Sequence, residues 1–298
     1  MKKIPALPAL LAVVMFAAAP VAQGTLNTAA IDQALGRAGQ MQGDVYRVAF
    51  PRTDLTVTVD GVKLRAGFAL GSWGAFRSAG VDAIAHGDLV LTEAEIDPVI
   101  SKLFEGGLEI TAMHNHLVGE SPRIMYVHFW GRGDAARLAA GLHAALAMTA
   151  TPPAAPAPAG GAAAAQAPAD PDLKADVIQR VLGRTGMERG GVLSISIPRP
   201  EQITMMGVAM PPAMGMATAF NFQAAGGGNV AATGDFVMTG DEVNPIARAL
   251  RMNGIGVRAL HNHMLHGAPE LYFMHFWVVG TPDKVASGLR AAADLLKK

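Results

Sequence analysis

The 298-residue sequence contains no cysteine. Disulfide bracing, thiolate metal ligands and a thiol nucleophile are therefore all excluded. Charge is also scarce, at 16% of residues, and balanced, with 24 Lys plus Arg against 24 Asp plus Glu. That removes the basic field on which binding to nucleic acid relies, so no nucleic-acid partner is expected. Aromatics make up only 6%, but hydrophobic residues reach 51%, enough for a buried core and too many for a disordered chain.

Residues 1–24, "MKKIPALPALLAVVMFAAAPVAQG", place two lysines before an apolar run that ends in small residues. This is the layout of a secretory signal peptide, and the mature chain is expected to be periplasmic or secreted. No later stretch suits a membrane span, so no stable span is expected after cleavage.

The chain then repeats itself. "AMHNHLVGESPRIMYVHFW", from Ala112, returns as "ALHNHMLHGAPELYFMHFW", from Ala259, and His114, His116 and His128 map onto His261, His263 and His275 at a constant offset of 147. The register extends to "LGRAG" and "LGRTG", and to "GDLVLTEAEIDP" and "GDFVMTGDEVNP". Between the copies, residues 149–172 are almost wholly Ala, Pro and Gly, which reads as a linker. The organisation is thus a leader at 1–24, a first repeat at 25–148, the linker, and a second repeat at 173–298.

Within the first repeat, a short helix is expected over Ile31–Ala38. Strands are expected in "DVYRVAF" and "DLTVTVDG", joined by a turn at "PRT". A short strand follows in "GDLVL". Thr92 and Glu95 form a capping box, repeated as Thr239 and Glu242, that opens a helix. "GLEITAMHNHL" and "RIMYVHFWG" then make a hairpin, and a helix beginning at Asp134 closes the unit. The fold class is α+β: two homologous tandem domains, each a largely antiparallel sheet with flanking helices.

Alternation along a strand puts His114 and His116 on one face. A turn centred near Ser121 would set His114 opposite His128. Three neutral imidazoles suit zinc, with copper, nickel and iron as alternative ions, and leave one coordination position for water or substrate. A three-histidine metal site is therefore expected in each repeat. Hydrogen-bonded structural histidines are the competing reading. Glu120, four residues after His116, is a candidate fourth ligand or general base. Its counterpart is Gly267, with His266 and Glu270 nearby, so the copies differ there. His86 and His143 read as structural, and Asp88 and Asp235, each after a glycine, as turn residues. Met205, Met206, Met210, Met214 and Met216 could bind Cu(I), although core filling is the simpler reading.

Each repeat, with "GDLVL", the capped helix, "HNHL" and "VHF", resembles the family of unknown function typified by the mycobacterial LppY and LpqO lipoproteins. The resemblance implies export and no established activity. Lipid anchoring does not carry over, because there is no cysteine to acylate. The hairpin alone is similar to the zinc site of acetolactate decarboxylase. That similarity implies His114, His116 and His128 as ligands, with Glu120 and Arg123 the nearest candidates for its additional groups. The expected function is metal-dependent hydrolysis or decarboxylation of a small carbonyl or carboxylate ligand. The alternative is a non-catalytic periplasmic metal-binding or envelope interaction protein.

Overall fold

The computed structural model describes residues 25–153 and 170–297. The leader expected at 1–24 and most of the expected linker lie outside them. Each repeat builds one six-stranded antiparallel sheet. The first has the strand order 40–42, 45–51, 71–79, 82–92, 124–133, 109–114. The second has the order 187–189, 192–198, 217–226, 229–238, 272–280, 256–261, which is the same topology. The duplication read from the motifs is therefore a duplication of fold.

Period-two burial decides what each sheet face meets. Val127 and Phe129, in the strand Ile124–Gly133, point into a core with Ile31 and Leu35 of the helix Thr28–Leu35, Val99 and Leu103 of Ile96–Glu105, and Leu138 and Leu142 of Ala135–Leu146. The intervening Tyr126 and Trp130 pack instead against the other repeat. In the second repeat, Met274 and Phe276 face that sheet's own helices, while Phe273 and Trp277 face the first repeat. The result is four layers, helices–sheet–sheet–helices, with the two sheets packed face to face. Polar bonds tie the layers together: Trp277 Nε1 donates to Asp60 Oδ2 at 2.8 Å, and Gln223 Nε2 donates to the Lys63 carbonyl at 2.9 Å.

The local signals held where chemistry fixes a terminus. Both capping boxes form, and Asp134 caps its helix by accepting from Arg137 N. The first helix begins three residues earlier than expected, because Asn27 accepts from Ala30 N, and it ends at Gly36 in the left-handed conformation. Two strand expectations are corrected. "DLTVTVDG" contributes only Thr58–Val59 to a two-residue ladder with Val62–Lys63, turned by Asp60 and Gly61 at positive φ, while Val45–Pro51 pairs with Gly71–Ala79. "GDLVL" is the later half of an eleven-residue strand, Asp82–Thr92.

The methionine run fills the interface. Met205, Met210, Met214 and Met216 are fully buried in one apolar cluster with Trp130 and Phe273, so core filling accounts for them. Among the described residues no helix is long and apolar enough to cross a membrane.

Candidate metal centre between the repeats

The hairpin places the histidines, but with a different register from the expected one. His114 pairs with Tyr126, and His128 pairs with Ala112 across a bulge between Ile110 and Ala112. The pairing is thus centred one residue earlier than the turn composition suggested, and His116 lies beyond the end of its strand, in the connecting loop. Parity is kept, so all three rings still share the face that meets the other repeat. The second hairpin has the same register, Ala259 with His275 and His261 with Phe273.

Face-to-face packing then merges what were expected to be two separate sites. Across the interface the ring centroids of His114 and His261 lie 3.6 Å apart, those of His116 and His275 3.8 Å, and those of His128 and His263 3.8 Å. This exchange of equivalent partners is what an approximate two-fold axis between the repeats produces. Tyr126 stacks on His116 at 3.3 Å, and Phe273 stacks on His263 at 3.7 Å, as a matched pair of backing rings.

Two sets of ring nitrogens lie close enough to hold a metal ion, each within 4.8 Å of one another: His114, His116 and His128; and His114, His261, His263 and His275. His114 belongs to both. Its Nδ1 lies 3.3 Å from the Asn115 carbonyl, which leaves Nε2 as its free ligand atom. Buried ring nitrogens without hydrogen-bond partners also occur at His116, His128, His261, His263 and His275. A buried polar atom left unpaired costs about 1–3 kcal/mol, so this convergence of ring nitrogens is compatible with a metal site.

Burial, followed by repulsion between neighbouring imidazolium charges, favours the neutral form of five of these rings. It lowers His114 to about 4 and His261 to about 3, and puts His116, His128 and His263 well below the ordinary histidine value. Neutral imidazole is the form that ligates a metal.

Two carboxylates that the sequence suggested were turn residues belong to this centre. Asp88 is ladder-paired with His128, and Asp235 with His275, in mid-strand rather than in turns. Asp88 Oδ1 lies 3.7 Å from His128 Nε2 and its Oδ2 lies 3.8 Å from His116 Nε2, while Asp235 Oδ1 lies 2.5 Å from His275 Nδ1. Burial and the Asp235 charge push the Asp88 carboxyl well up. At Asp235 burial is the largest single influence and acts upward, but the attraction and hydrogen bond of His275, with the attraction of His261 and His114, together outweigh it and leave the group lowered. The preceding glycines serve packing. A Cβ at Gly87 would sit 2.2 Å from the Trp73 carbonyl oxygen, and one at Gly234 would sit 1.9 Å from the Ala219 oxygen. The available signal was the recurrence of Gly-Asp in both copies.

The remaining candidates lie apart. Glu120 does not join either nitrogen set, although its Oε2 is buried and unpaired. Arg123 is exposed and 3.5 Å from Glu93. His266 and Glu270 line a separate surface pocket. His86 is structural in the expected sense: its Nδ1 lies 2.9 Å from the Phe129 carbonyl, where the equivalent Thr233 Oγ1 donates to the Phe276 carbonyl. His143 Nδ1 meets the Leu35 carbonyl at 3.2 Å.

Beside the histidines is a cavity of about 280 Å³. Its wall includes His116, His128, His263, His275, Asp88, Asp235 and Arg47.

A family profile described as "Domain of Unknown Function (DUF1259)" matches the chain twice, over residues 29–148 and 176–295. No curated protein matches. Among solved structures, EtuB from Clostridium kluyveri is 12% identical with a TM-score of 0.21, covering 87% of this chain and 89% of that one. The trimeric bacterial microcompartment shell protein PduB is 12% identical with a TM-score of 0.20, over the same shares. The ethanolamine utilization protein EutL from Leptotrichia buccalis C-1013-b is 11% identical with a TM-score of 0.18, covering 74% and 81%. At such TM-scores the likeness carries nothing about fold or function.

Proposed function

The chain belongs, through both of its halves, to the family of unknown function DUF1259, and from that premise we propose that it is an exported metal-binding protein whose centre is shared between the repeats. The observation that carries the reading is the set of buried, unpaired ring nitrogens converging between the sheets. Zinc is the favoured ion, because the donors are neutral nitrogens and the chain has no thiolate. Copper, nickel and iron are the competitors for the same donors. One ion per chain is proposed, since both nitrogen sets draw on the single free nitrogen of His114.

The two sets suit different roles. Three histidines with a neighbouring cavity match a catalytic site, which keeps a coordination position open. There a bound ion would polarise a carbonyl or provide hydroxide at neutral pH. His116 and His128 line the cavity, Asp88 holds its carboxylate against both, and Glu120 is proposed to move a proton. On this reading the protein is a hydrolase, or a lyase of the decarboxylase-like class, acting on a small carbonyl or carboxylate compound. The four-histidine set favours a second reading, since four protein ligands close a tetrahedral site and suit storage or structure. The LppY/LpqO-type and decarboxylase-like resemblances belong to the proposal in the same way.

Elemental mass spectrometry of the purified protein tests it. About one zinc per chain, with a rise in melting temperature when zinc is restored to chelated protein, is expected. Absence of bound metal, with no melting shift from zinc, copper, nickel or iron, would overturn it.

A further inference from the structure

The cavity breaks the approximate symmetry of the centre it adjoins. His116 and His263, His128 and His275, and Asp88 and Asp235 line it as equivalent pairs. Arg47, Trp73 and His86 also line it, and their equivalents in the second repeat are Ser194, Ala219 and Thr233. The space therefore exists because one repeat supplies large side chains where the other has small ones.

Arg47 is held rigidly in that wall. Its Nη1 donates to the Ala213 carbonyl at 2.8 Å, and its guanidinium carbon lies 3.6 Å over the Trp73 ring. Trp73 in turn meets His86 edge-on at 5.7 Å. Arginine carries five N–H donors, and among the described residues Arg47 makes that one hydrogen bond and no ion pair within 4.0 Å. Two other buried guanidiniums are paired with acids: Arg52 meets Asp54 and Glu95, and Arg199 meets Glu201 and Glu242. A planar fork fixed by stacking, with Asp88 near enough to attract it but no acid within 4.0 Å, matches a carboxylate in two-point geometry.

We propose that Arg47 is the carboxylate-binding residue of a single, one-sided substrate pocket, which takes a small organic acid and presents its other end to the histidine centre. The proposal rests on the metal-centre reading for what happens to that other end, and on Arg47 alone for binding. The cavity volume is at the low end of ligand pockets, which limits the occupant to a small acid. Asp88 and Asp235 face the same space and would repel an anion; the cations that offset them are Arg47 and, on the metal reading, the bound ion.

Calorimetric titration with acetate, pyruvate and malonate, with pyruvamide as the uncharged counterpart of pyruvate, tests this on the wild-type protein and on Arg47→Gln, Arg47→Lys and Ser194→Ala. At least one acid should bind, and Arg47→Gln should weaken it about 10- to 100-fold, the value of a charged hydrogen-bonded contact. Arg47→Lys should recover part of the loss, Ser194→Ala should change nothing, and pyruvamide should not respond to the Arg47 substitutions. Circular dichroism and metal content, unchanged in Arg47→Lys, separate the effect from misfolding and from metal loss. Acid binding that depends on Arg47 in protein without metal would uphold the pocket while the metal reading fails. Binding of none of the three acids, or equal binding by wild type and both Arg47 variants, would overturn the proposal.

Discussion

Replacing His114 by alanine weakens metal binding more than His116→Ala does, because it takes a ligand from both nitrogen sets and leaves at most His261, His263 and His275, whereas His116→Ala leaves the four-histidine set whole. The difference follows from His114 being common to both nitrogen sets. Without His116 the four-histidine set is intact, and without His261 the three-histidine set is intact. Loss of an outer-shell partner alone costs about 10- to 100-fold in affinity, so loss of a shared ligand should exceed about 100-fold. Zinc affinity measured by competition with a chromophoric chelator gives the comparison. Equal losses at His114 and His116 would show that the ion is not held through His114.

The second large effect concerns stability. Arg52 is 1% exposed; its Nη1 donates to the Val90 carbonyl at 2.6 Å, and the guanidinium forks onto Glu95, with 2.9 Å bonds from Nη1 and Nη2, and onto Asp54, at 2.8 Å from Nη2. Arg199 repeats the arrangement with the Val237 carbonyl, Glu242 and Glu201. Each cluster ties a central strand to the cap of its helix, because Glu95 and Glu242 are also the capping-box residues. Arg199→Met should cost about 3–5 kcal/mol, the usual result of leaving one side of a buried ion pair unpaired. Urea unfolding measures it, and a loss under about 1 kcal/mol would contradict the role.

The same clusters set an acid limit. Burial pushes the Glu95 and Glu242 carboxyls up, but bonds from the arginines and from backbone N–H groups outweigh it and hold both below 4.5. Their stabilisation is therefore complete above the unfolded value and is lost as pH falls below about 4.5 through the lowered folded values.

Much of this was legible in sequence because it is local or repeated. A constant offset between His114 and His261 implied two copies of one fold, and a Thr-x-x-Glu pair fixed each capped helix. The parity of His114, His116 and His128 gave the correct shared face. The hairpin register was not legible, since turn composition does not locate a pairing centre to within one residue when the loop is long. The meeting of the two faces was also hidden. Each hairpin alone looks like a complete three-histidine site, and only the apolar residues alternating with the histidines, Tyr126 and Trp130 against Phe273 and Trp277, drive the sheets together. Asp88 was misread because Gly-Asp usually marks a turn. Here the glycine is required by the closeness of the Trp73 backbone and the Phe129 ring.

The most direct test of the central claim is anomalous diffraction at the zinc absorption edge from crystals of the zinc-loaded protein. One strong peak between the two sheets, within bonding distance of His114 Nε2 and of histidines from at least one hairpin, is the predicted result. A peak confined to the protein surface, or none between the sheets, would contradict it.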